Sequence, residues 1–192
     1  MINRRIALKQ LGLLTAGAAL LPACVKEAPS AASITLKNLH ISGEQEAVLA
    51  ELAETLIPTT DIPGAKAMNA HQFVLRMIDD CQPEETQKDF EKGFAEFQQA
   101  VDKKHGKSFD ELSPSERKAF LTEIDAMAKA EREKDNLSAV SKFYSLVRRY
   151  TIQGFTSSEY VLTNVFHYNM IPGKFVGCVP ITDKNDLKTV LG

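Results

Sequence analysis

Ser113-Pro114-Ser115-Glu116, with Phe120, Leu121, Ile124 and Met127 behind it, is the stretch that decides the fold class. A serine able to accept a backbone N–H, a proline at the first helical position and an acid three residues after the serine make a strong helix start. The apolar residues that follow recur at three- and four-residue spacing, which predicts a helix with one buried face. The charge run over residues 129–135 reads as its solvated face.

The same grammar recurs on both sides of this stretch. Upstream, Ser42 and Gln45 form a capping box, and Val48, Leu49, Leu52 and Leu56 share one face until Pro58 stops the helix. Pro58-Thr59-Thr60-Asp61-Ile62-Pro63-Gly64-Ala65 then reads as an ordered loop of restricted shape, because two prolines and a glycine limit its backbone. Asn69 can cap a second helix carrying Phe73, Val74, Met77, Ile78 and Cys81. Pro83 opens a third with Phe90, Phe94, Phe97 and Val101, ended at His105-Gly106. Downstream, Phe143, Leu146, Val147 and Tyr150 mark a fifth helix. Thr156 and Glu159 box the start of a sixth, with Val161, Leu162 and Val165. Residues 166–178 lose helical period and read as an irregular tail, while residues 34–41 show faint alternation. The expected fold is all-α, a compact helical bundle of about six helices with an irregular C-terminal tail.

The N-terminus carries a different kind of information. Asn3-Arg4-Arg5-Ile6-Ala7-Leu8-Lys9 is a basic opening, and residues 11–23 follow without a charge. That run is shorter than the about 20 apolar residues a membrane span needs, so it reads as a signal rather than an anchor. Arg4 and Arg5 with Leu8 and Lys9 resemble a twin-arginine motif, with Ala7 where an aromatic residue is preferred and Asn3 where Ser or Thr is usual. Leu21-Pro22-Ala23-Cys24 resembles a lipobox, in which Cys24 is acylated and becomes the new N-terminus; the alternative is an ordinary signal with an incidental cysteine. Acyl chains add about 0.8 kcal/mol of membrane affinity per buried methylene, enough for several chains to anchor a domain. The expected organisation is a signal peptide over 1–23, a lipidated N-terminus and tether over 24–41, and a helical domain over 42–192. Within the tether, residues 25–33 are rich in Ala, Pro and Ser, which suits a solvated linker. The place it implies is the periplasmic side of a bacterial envelope, with the lipid on Cys24 in the membrane. Because the twin-arginine route carries folded cargo, it suits a chain that holds a cofactor or accompanies a folded partner.

Removing 23 of the 192 residues leaves 169, enough for one domain with a real core. Three of the 23 basic residues leave with the signal, so 20 face 25 acidic ones and the net charge is −5. A mildly acidic domain without a basic stripe argues against a nucleic-acid partner. Of the three cysteines, a lipidated Cys24 leaves Cys81 and Cys178 as the one intrachain pair. In an oxidising compartment a bridge between them would close about 100 residues, for which loop entropy gives about 4.7 kcal/mol. Two buried free thiols are the alternative.

Reactive constellations are hard to find. There is no C-x-x-C-H, no glycine-rich phosphate loop, no H-E-x-x-H and no G-x-S-x-G. His40, His71, His105 and His167 are scattered, where a metal site needs three or four converging ligands; His71 and His167 are the best placed, since both flank segments expected to be ordered. Asp79 and Asp80 are neighbours on a helix and point apart, which does not suit paired acid–base work. The expectation is therefore no catalytic, cofactor-binding or metal-binding residue in this chain.

Several segments together resemble the gluconate 2-dehydrogenase subunit 3 family. They are Leu52-Ala53-Glu54-Thr55-Leu56-Ile57 running into the loop at Pro58, then His71-Gln72-Phe73-Val74, Cys81, Gly154-Phe155-Thr156-Ser157-Ser158-Glu159, and Ile171-Pro172-Gly173-Lys174-Phe175-Val176-Gly177-Cys178. The likeness spans about residues 42–178. It implies a non-catalytic small subunit of a membrane-associated, FAD-dependent dehydrogenase of the glucose-methanol-choline type acting on a sugar or polyol. The FAD would sit in a large flavoprotein partner, with haem in a cytochrome c subunit where one is present, and the small subunit would aid export, assembly and stability. Pro58, Thr59, Asp61, Pro63, Gly64, Pro172, Gly173 and Gly177 are the expected docking residues. Two other readings stay open: a stand-alone envelope lipoprotein acting as a binding or scaffold module, and an independent metalloenzyme using His71 or His167.

Overall fold

In the computed structural model, residues 31–166, Tyr168 and Cys178 are described. Among them the chain forms five α-helices: α1 (Gly43–Leu56), α2 (Ala70–Cys81), α3 (Glu84–His105), α4 (Pro114–Glu133) and α5 (Ala139–Thr156). A 3-10 turn lies at Phe109–Glu111 and a π-helical turn at Val161–Val165. No strand occurs among the described residues; one isolated bridge joins Ala31 to Ser42. The class is all-α, as the sequence reads.

The helix starts follow local chemistry. Ser42 accepts the Gln45 N–H and the Gln45 side chain accepts the Ser42 N–H, closing the expected box. Ser113 and Glu116 do the same at α4, with Pro114 in the first turn. Gly106 ends α3 at φ +64°, a left-handed conformation that glycine adopts without steric cost. Asn69 does precede α2 but caps it differently from the expectation. It sits at φ +53°, its side chain makes no cap bond, and its carbonyl accepts the Gln72 and Phe73 N–H groups.

Two further expectations are corrected. The Thr156–Glu159 box is not formed: the Thr156 hydroxyl donates back to the Ile152 and Gln153 carbonyls at 2.9 and 3.2 Å, so Thr156 is the last residue of α5. The following turn is opened by Ser158, whose Oγ faces the Val161 N–H at 3.4 Å. Met127 is also misplaced, 37% exposed, because the inward position of that turn is taken by Ala128.

The main core gathers Val48, Leu49 and Leu52 of α1, Val74, Leu75 and Ile78 of α2, and the aromatic residues of α3, α4 and α5. Phe94 and Phe143 stack with centroids 5.0 Å apart, and Phe97 meets Phe120 edge-on at 5.5 Å. Close helix approach depends on glycine in two places. A Cβ on Gly93 would lie 2.3 Å from the Ala139 carbonyl oxygen, and one on Gly154 would lie 2.8 Å from the Phe73 ring. Gly154 therefore serves the α5–α2 contact inside a helix.

Residues 31–41, part of the stretch expected to be tether, lie along the bundle as a strap. Asp79 accepts the backbone N–H groups of Lys37, Asn38 and Leu39 at 2.8, 2.7 and 2.8 Å. Leu39 enters the core, and Ser33 donates from both its N–H and its hydroxyl to Glu46. The signal and lipid residues Arg4, Arg5 and Cys24 fall outside the described residues.

Candidate functional site

The loop after α1 is built on one carboxylate. Glu54, in the last turn of α1, accepts the Thr59 N–H at 2.9 Å and the Thr59 hydroxyl at 2.7 Å on Oε1, and the Lys66 N–H at 3.0 Å on Oε2. Thr59 Oγ1 in turn accepts the Gly64 N–H at 3.0 Å. Burial pushes the Glu54 pKa up, but the Thr59 hydroxyl, the two backbone donors and the Lys66 charge outweigh it, so the carboxyl lies below its ordinary range and is ionised. The Ala65 N–H donates to the Ile57 carbonyl at 2.9 Å and the Thr60 N–H to Ile62 at 3.0 Å. These bonds satisfy much of the loop's backbone without a regular element.

Gly64 is required by close approach. A Cβ there would stand 2.5 and 2.6 Å from the Glu54 oxygens and 2.6 Å from the Thr59 nitrogen. Pro58, Thr59, Thr60 and Asp61 are exposed, while Ile62 and Pro63 are half-buried and Ala65 is fully buried. The loop thus presents a rigid polar tip above an apolar base. That base is a second cluster of Ala53, Ala65, Ala70, Phe155 and Val161, with Ile57, Ile62, Met68, Tyr160 and Val165 against it. The loop and the segment after α5 are joined there, although they are about 100 residues apart in the chain.

His71 lies beside this region, buried in the first turn of α2, with Nε2 3.6 Å from Glu46 Oε1. Its Nδ1 has no hydrogen-bond partner among the described residues. Burial, against the pull of Glu46 and with the help of the Lys66 charge, holds the imidazole below its ordinary value. Glu46 is pushed up by burial, but Ser33, His71 and Gln72 together bring it below its ordinary range. Among the described residues no group of three or more His, Cys, Asp or Glu side chains is placed to hold a metal ion. His167 falls outside the described residues, and His40 is exposed.

Asp79 and Asp80 do point apart: Asp79 is buried under the strap, and Asp80 is exposed and paired with Lys37 Nζ at 2.7 Å. Of the expected docking residues, Pro58, Thr59, Asp61, Pro63 and Gly64 are held together in the one loop, and Pro172, Gly173 and Gly177 fall outside the described residues. Cys81, at the end of α2, and Cys178 are both exposed and free in this structure. The organising roles of Glu54, Glu46 and Asp79 escaped the sequence reading. Only Glu54 carried a local signal, a carboxylate one turn before a Pro-Thr-Thr-Asp loop.

No helix among the described residues is long and apolar enough to cross a membrane. No curated protein and no solved structure matches the chain. The family model described as gluconate 2-dehydrogenase subunit 3 matches residues 43–173, from the first residue of α1, through the Glu54-centred loop, to beyond the π-helical turn. The chain belongs to the gluconate 2-dehydrogenase subunit 3 family.

Proposed function

We propose that this chain is the non-catalytic small subunit of a membrane-associated dehydrogenase, and that it aids the export, assembly and stability of an FAD-bearing, glucose-methanol-choline-type partner that oxidises a sugar or polyol. The observation that carries this reading is the family match over residues 43–173, a family described as a third subunit of a dehydrogenase. The loop on Glu54 supports it: a tip that needs no ordering on contact loses little conformational entropy when a partner docks. Arg4 and Arg5 would route the folded complex through twin-arginine export, and Cys24 would carry the lipid that keeps it at the periplasmic face of a membrane. FAD would belong to the large subunit, and haem to a cytochrome c subunit where the complex has one.

The escort role is tested by co-expressing a glucose-methanol-choline-type flavoprotein from the same genome with this chain carrying Arg4→Lys and Arg5→Lys. Flavoprotein should then accumulate in the cytoplasm and fall to background in the periplasm. Normal periplasmic levels with the double variant would refute the role.

A further inference from the structure

A trough runs from the exposed loop along the whole of α4, and its charge runs against that of the domain. Three hollows of about 400, 240 and 470 Å3 adjoin one another. The first two share Thr55 and Lys118, and the second and third share Asp125, Tyr144 and Arg148. One wall is a single face of α4 at helical spacing, through Pro114, Lys118, Leu121, Asp125, Lys129 and Arg132. The other wall is the C-terminal turn of α1 with Pro58 and Thr59, continued by α5. From Pro114 to Arg132 the trough follows about 27 Å of helix at about 1.5 Å per residue, the span of about eight residues of extended chain.

Charge is graded along it. At the loop end Glu51 is paired with both Arg117 and Lys66, and Glu54 is occupied by loop donors. Further along, Lys118, Lys129, Arg132, Arg148 and Arg149 have no ion pair among the described residues, and Asp125 is the one acid on that stretch of the lining. Elsewhere most cations on the body are spoken for: Lys37, Lys66, Lys88, Lys92, Lys104 and Lys142 all sit on carboxylates. Burial, and secondarily Asp125, pushes the Tyr144 phenol up to about 12, so it remains a neutral hydrogen-bonding group in the trough. Ile152, 43% exposed, adds an apolar step at the far end.

We infer that this trough docks an extended acidic segment of the dehydrogenase's large subunit, its neutral end at Pro58 and Thr59 and its carboxylates over Lys129, Arg132, Arg148 and Arg149. The inference rests on the small-subunit reading and deepens it by naming a surface and the chemistry of what it receives. A long recess lined by cations matches a peptide chain better than a flat anionic bilayer, which meets protruding side chains. The strap adds to this: Ala31 is bridged to Ser42 at the N-terminus of α1, whereas Thr55 and Leu56, which line the trough, lie about 20 Å away at its other end.

The test uses the full chain and a glucose-methanol-choline-type flavoprotein from the same genome, with affinity measured at low and high salt. Two independent groove pairs, Lys129→Glu with Arg148→Glu and Lys118→Glu with Arg149→Glu, are compared with a control pair of exposed cations outside the trough, Arg76→Glu with Lys103→Glu. Any groove pair that keeps the wild-type melting transition should bind about tenfold or more weakly, with a shallower salt dependence, while the control stays near wild type. Wild-type affinity in both groove pairs would overturn the trough and leave the small-subunit reading intact; absence of any wild-type complex would overturn both. Sedimentation with phosphatidylglycerol vesicles supplies the remaining arm. Loss of vesicle binding with flavoprotein affinity unchanged would assign the trough to lipid and overturn the inference.

Discussion

The Asp79 carboxylate receives three consecutive backbone N–H groups from residues more than 35 positions earlier, and hydrogen bonds to a charged group are each worth about 1.5–3 kcal/mol. Burial pushes its pKa up, but the donors of Lys37, Asn38 and Leu39 and the Lys37 charge bring it below the ordinary 3.8. A carboxyl whose folded pKa is depressed stabilises the fold at pH above its unfolded value, and that contribution is lost as pH falls through the lower folded value. Asp79→Ala should therefore lower unfolding free energy by about 3 kcal/mol at neutral pH, with the two proteins converging in strong acid and amide exchange rising across residues 37–39. Unchanged stability at neutral pH would show that Leu39 and the Ser33–Glu46 bonds hold the strap without Asp79. The sequence did show that Asp79 and Asp80 diverge. Which of them turns inward, and what it meets, depended on a contact across about 40 residues, and nothing local encodes that.

At the scale of elements, the loop is a carboxylate-centred turn in which Gly64 leaves room for Glu54 and Thr59. Gly64→Ala should cost about 1–3 kcal/mol, the usual range for an added methyl in a filled space, and should loosen the Thr59 and Lys66 amides in hydrogen exchange before those of α1. Amide protection equal to wild type would show that the loop accepts the methyl with its Glu54 bonds intact, and would refute the close-approach role of Gly64. Helix starts were legible wherever a side chain bonds a backbone group three residues away, as at Ser42 and Ser113, because that chemistry is wholly local. The Thr156 start was misread for the complementary reason. A threonine hydroxyl can equally bond a carbonyl behind it, and Gly154, just before it, lies inside α5 at the contact with Phe73.

For the whole molecule, the all-α class was legible because the apolar positions repeat at helical spacing through nearly every element, and the phenylalanines of α3 fall on the inner face as spaced. The trough was not legible, since its walls come from three helices and its cations are scattered between residues 118 and 149. The Cys81–Cys178 bridge remains a proposal: both thiols are free and exposed here, and a bond formed after export would tie the C-terminal tail to the end of α2. A non-reducing mass spectrum of protein isolated from the envelope should then lack both thiols, and Cys178→Ser should lose about 2–5 kcal/mol under oxidising conditions; two free thiols in that material would remove the clamp. The strap has a consequence for working distance. With residues 31–41 fastened to the bundle, a lipid on Cys24 would stand at most 31 minus 24, or seven, peptide steps from the strap, about 25 Å by chain length. An enzyme complex on so short a leash would be confined to a thin layer over the bilayer, where its encounters with other anchored electron carriers become a two-dimensional search at high effective concentration.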